Sequence, residues 1–140
     1  MIREPISVAL FAKLSGVPGL VTTSRILEHF ADVPAVNQPA LFQTPAAQSP
    51  IRVRGLPPKW QCEYIATIYV NRASSDVPDT ALNTILDAIE VALAPLPAAE
   101  VQTLGGLVEH CWIEGDIEIG LGSLGQQLIC NVPIKVLVAA

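Results

Sequence analysis

Two stretches of strict alternation constrain this chain most. Residues 126–138 (QQLICNVPIKVLV) carry Leu128, Cys130, Val132, Ile134, Val136 and Val138 at every second position. Residues 60–71 (WQCEYIATIYVN) do the same with Trp60, Cys62, Tyr64, Ala66, Ile68 and Val70. Side chains of a strand point to opposite faces in turn, so each stretch predicts a β-strand with one wholly apolar face. The other face of 60–71 mixes Gln61, Glu63, Thr67 and Asn71 with Ile65 and Tyr69. Pro133 falls on the face opposite the apolar set of its strand, which suggests an edge or a bulge.

An apolar sheet face needs a second layer over it. Residues 77–94 supply one: Leu82, Ile85, Leu86, Ile89 and Leu93 form a stripe at helical spacing. Asp76 is placed to cap that helix, Pro78 and Asp79 fall in its first turn, and Pro95 and Pro97 end it. Residues 3–15 predict a second helix, with Ile6, Leu10 and Leu14 four apart, Phe11 and Val17 alongside, and Gly16 and Pro18 closing it.

The segments between are less regular. LVTT in residues 20–29 favours a strand, whereas Ser24 would cap a short helix; we take the strand. PALFQ (39–43) reads as a short strand. The proline-rich stretch 44–59 reads as an arm or long loop with IRVR as a short strand inside it. LVEHCWIEGDIEIG (107–120) predicts a strand bent at Gly115, pairing with 126–138 as an antiparallel hairpin through a glycine-rich turn. The expected fold is therefore α+β: one domain over 1–140, a mostly antiparallel β-sheet with two α-helices packed on one face.

With 51% hydrophobic and 15% charged residues, the 140-residue chain has the composition of a packed domain and not of a disordered one. It contains no apolar run long enough for a membrane helix. Pro5 and Lys13 interrupt the N-terminal apolar stretch, so no signal peptide is expected and the chain reads as cytoplasmic. Cys62, Cys111 and Cys130 are odd in number and lack close pairing, which predicts reduced core cysteines.

The net charge of −5 is unevenly spread. Residues 1–60 hold six basic and three acidic side chains, and residues 61–140 hold two basic and ten acidic ones. The overall acidity argues against binding a nucleic-acid backbone. The asymmetry suits head-to-tail contacts between copies, or simply two solvated surfaces. We expect Arg52 and Arg54, on one strand face if IRVR is extended, and Glu114, Asp116 and Glu118, alternating along another strand, to be contact residues.

Catalytic patterns fit poorly. Gly120, Gly122 and Gly125 match GxGxxG, but an alternating strand follows where a dinucleotide site needs a helix, so a hairpin turn is expected. Glu109, His110 and Cys111 are adjacent and would face opposite ways in a strand, and no CxxC or HxxxH pair anchors zinc. His29 and His110 lie in no nucleophile motif. The aligned carboxylates 114, 116 and 118 could form a catalytic pair, but a solvated or partner-facing acidic strand is the simpler reading. No catalytic residue, metal or cofactor is expected.

Several stretches together carry a family resemblance. SRILEHFADVPAVNQPALFQ (24–43), RGLPPKWQCEYIATIYVN (54–71), LNTILDAIEVALAP (82–95) and QTLGGLVEHCWIEGDIEI (102–119) resemble the tail terminator, or tail completion, proteins of long-tailed bacteriophages and prophages. The resemblance implies a virion protein at the tail end, assembled in the host cytoplasm as a ring, by expectation a homohexamer. Its partners would be the tail tube protein and a neck or head-completion protein. Such a ring stops tube growth and offers the surface for head joining. A neck or minor tail protein, a small-molecule binder or enzyme, and a monomeric regulatory module are the competing readings.

Overall fold

The computed structural model describes residues 1–71, 78–121 and 127–140. Helix α1 spans Arg3–Ser15, strand β1 Thr22–Ser24, strand β2 Ala40–Ile51 and strand β3 Lys59–Asn71. Helix α2 spans Pro78–Ala92, followed by strands β4 His110–Ile113, β5 Glu118–Leu121 and β6 Gln127–Ala139. The strands form one sheet in the order β1-β2-β3-β6, with β4 and β5 both on the far edge of β6. Among the described residues only β1 and β2 run parallel; every other pairing is antiparallel. The α+β fold expected from the pattern is the fold observed.

The two alternating segments are the centre of the sheet. They pair along their whole lengths, from Lys59 against Ala139 to Asn71 against Gln127. This register puts Cys62, Tyr64, Ala66, Ile68 and Val70 on the same side as Leu128, Cys130, Val132, Ile134, Val136 and Val138. Both helices cover that side: Ile6, Leu10 and Leu14 of α1, with Leu82, Ile85 and Ile89 of α2 and Leu93 just beyond it, join one buried core with the strands. Each such side chain taken out of water stabilises the fold by about 1.5–3 kcal/mol. Gly16 is the C-cap of α1 in a right-handed conformation, its N–H bonded to the Leu14 carbonyl. The proposed cap Asp76 and the GxGxxG turn at Gly122 and Gly125 lie outside the described residues.

Three readings need correction. First, residues 44–51 are not loop: β2 runs on to Ile51 and pairs with β3 down to Lys59. Pro45 and Pro50 are tolerated because β1 reaches only as far as Phe42, so the outer edge of β2 beyond it needs no donors from described strands. Pro45 also sits where the β2–β3 register shifts. Second, only Thr22–Ser24 of the 20–29 stretch is strand; the Ser24 hydroxyl then accepts from the Ile26 N–H at 3.0 Å and turns the chain. Third, Pro133 lies in β6, inside the sheet and not in an edge strand, so of the edge or bulge expected the bulge is observed: opposite it, five steps of the outer strands span three of β6. Its carbonyl, and hence the side of its missing donor, faces the gap between β4 and β5, where Glu114 N–H bonds to Pro133 O at 3.2 Å.

The opposite face of the sheet is only partly covered. Residues 25–38 fold over one end of it, packing Val33 with Ala40, Phe42 and Tyr69, and Phe30 and Ile129 against them. Tyr69 Oη donates to the Glu28 carbonyl at 2.7 Å, and Gln38 Nε2 to the Val33 carbonyl at 2.9 Å. The loop after α2 is tied down by Gln102: its Nε2 donates to Ala94 O at 2.9 Å and its Oε1 accepts from Leu104 N–H at 3.1 Å. The rest of this face, around Glu63, Ile65 and Trp112, is left half-exposed.

Candidate functional site

The half-exposed face carries a shallow hollow of about 350 Å³. It is lined by Glu63 and Ile65 of β3, Asn131, Pro133 and Lys135 of β6, Glu118 of β5, and Glu114, Gly115 and Asp116 between β4 and β5. Four carboxylates therefore surround one ammonium group. Lys135 Nζ lies 3.2 Å from Glu114 Oε2, and Glu63 is the direct cross-strand partner of Lys135. Glu114, Asp116 and Glu118 are exposed, so their charges are solvated and open to a partner.

The hollow comes from a break in the outer strand. Ile113 pairs with Ile134 and Glu118 with Asn131, so five steps on one side span three on the other. Two extra residues must loop out. Gly115 makes this possible with φ of +105°, a conformation costly for other residues, and a Cβ there would sit 3.3 Å from the Pro133 ring. Pro133, with no N–H to offer, can only accept at that point, and it does so from Glu114 N–H at 3.2 Å. Thus Glu114, Asp116 and Glu118 do not alternate along one strand as expected. The break nonetheless brings all three to one hollow.

Arg52 and Arg54 are elsewhere. Instead of an extended IRVR, β2 stops at Ile51 and residues 52–58 turn, closed by Leu56 N–H to Val53 O at 3.0 Å with Gly55 at φ +85°. Arg52 lies with its guanidinium carbon 5.9 Å from the centre of the Trp60 ring, and Arg3 is nearer at 5.2 Å. Arg3 Nε also donates to Gln48 Oε1 at 2.8 Å, tying α1 to the hairpin. Val53 and Leu56 are exposed apolar side chains in this turn. The same turn borders an apolar groove of about 440 Å³ floored by Leu137 and Ala139. Among the described residues the ion pairs are Arg25–Glu4, Lys59–Glu109 and Lys135–Glu114, so Arg52 and Arg54 form none there. Sequence reasoning missed Val53 and Leu56, since the proline-rich stretch gave no period from which to place them.

Among the described residues no nucleophile arrangement emerges. Cys111 and Cys130 are fully buried on the helix side, and burial pushes their thiols up to about 12 and about 11. Cys62 is also raised by burial. His110 Nδ1 accepts the Gln102 N–H at 3.1 Å and its ring stacks on Trp112 at 4.8 Å, so it serves as a structural acceptor. Among the described residues no three His, Cys, Asp or Glu side chains converge to hold a metal ion.

No protein-family model and no curated protein matches this sequence. In three dimensions the chain is similar to a chain of a structure described as the virion of a native gene transfer agent particle. The TM-score is 0.57 at 8% sequence identity, over 96% of this chain and 95% of that one. At that identity the likeness establishes a shared fold along both chains from end to end.

Proposed function

We propose that this chain is a structural protein of a virion, a tail terminator that caps the end of a tail tube as a ring of identical copies. In this reading the ring stops tube growth and presents the surface to which a head joins, and the chain performs no chemistry. The observation that carries the proposal is the near-complete fold match to a virion chain. It joins the sequence resemblance of 24–43, 54–71, 82–95 and 102–119 to tail terminators. The surface chemistry agrees in kind: solvated charge of opposite sign at separate places, with buried and inert thiols.

Electron microscopy of particles produced without this chain tests it. A terminator predicts tails of uncontrolled length and heads without tails. Normal-length tails beside filled, unattached heads would transfer the chain to the neck, and unaltered particles would refute a virion role.

A further inference from the structure

Resting on the reading above, we propose that the β2–β3 hairpin tip of one copy seats on the half-exposed sheet face of a second copy. There Arg52 and Arg54 would meet Glu114, Asp116 and Glu118. The occupant is chosen by charge and by reach. The tip carries two guanidinium groups that pair with no described carboxylate, and Val53 and Leu56 stand exposed beside them, at 53% and 63%. The hollow offers the complement: acids in excess around Ile65 and Pro133. Arginine on carboxylate is the strongest of the common charge pairs, because its planar fork bonds both oxygens.

The two surfaces do not meet within one copy. The tip joins β3 at Lys59, whereas the hollow lies at Glu63 and Ile65, four to six residues further along the strand. At about 3.3 Å per residue this is roughly 13–20 Å. Arg52 is also turned toward Trp60, which starts the alternating set that faces the helices. The contact is thus between copies and uses two different patches. A contact of that kind repeats head-to-tail and closes into a ring or grows as a filament.

Paired charge reversal of the full chain tests this. One variant carries Arg52→Glu and Arg54→Glu; the other carries Glu114→Arg, Asp116→Arg and Glu118→Arg. Circular dichroism reports whether each is folded, and native mass spectrometry with sizing chromatography reports assembly. The parent chain should form multimers at about 0.1 mM, a concentration that captures even weak contacts. Each variant alone should assemble at least roughly ten-fold more weakly. Their equimolar mixture should recover multimers of alternating composition, since every junction then regains opposite charges. Variants that assemble like the parent, a mixture that stays dissociated, or a parent that stays monomeric would overturn the proposal. If either variant fails to fold, the parent itself decides: multimers that persist unchanged from 0.05 to 1 M salt contradict a contact held by exposed charge. Overlong tails in particles lacking the chain, together with charge-insensitive multimers, would leave the terminator reading standing and remove only this docking mode.

Discussion

At the residue scale, the three cysteines show how position decides chemistry. Cys111 and Cys130 lie among aliphatic side chains, which disfavour a thiolate. Ellman's reagent at pH 8 should therefore leave them unreacted in the native chain, while urea should release three reactive thiols per chain. The same shifts predict a pH dependence. In the folded state both thiols hold their protons above the unfolded value of about 9, so the unfolded chain binds fewer protons between pH 9 and the folded values near 11 and 12. Stability is then level below pH 9 and falls as pH rises through 9 to 12. Urea midpoints at pH 7 and pH 10 check the sign. Gly115 makes a second residue-scale case. Its φ of +105° and its contact with Pro133 mean that Gly115→Val should cost about 1–3 kcal/mol, measured by urea unfolding.

At the element scale, β6 organises the molecule. It pairs with β3 on one side and with β4 and β5 on the other, and one face of it is fully buried. Ile134→Ala should destabilise the chain by about 2–5 kcal/mol, because its neighbours in a sheet cannot close the cavity. Pro133→Ala, one residue away, should cost less than about 1 kcal/mol. The restored N–H would face the break between β4 and β5, where no ladder bond was lost. Equal losses for the two variants in urea unfolding would contradict the assignment of the break to Pro133 and Gly115.

At the scale of the whole molecule, the sheet separates a closed side from an open one. Two helices seal the first, and the 25–38 loop covers only part of the second. Among the described residues, cationic side chains without an acidic partner lie at the hairpin tip, while a hollow with excess carboxylate lies further along the sheet. Association of copies through such surfaces should weaken as salt rises from 0.05 to 1 M, because screening shortens the reach of exposed charges from about 14 Å to 3 Å. Sizing chromatography across that range checks the expectation.

Much of this architecture followed from the order of residues alone. Period-two apolar runs at 60–71 and 126–138, and the helical stripes around Leu10 and Ile85, already specified the central strands, the two helices and the buried side chains. These signals are local, since each depends only on which neighbours along the chain share a face. What only the tertiary structure decided was pairing. The proline-rich 44–51 stretch became strand because β3 lay beside it and its outer edge faced no described strand. Glu114, Asp116 and Glu118 came to one hollow because Pro133, nearly twenty residues later in the chain, offers the outer strand an acceptor but no donor at that position. Such partnerships are set by contacts between distant segments, and no local period records them.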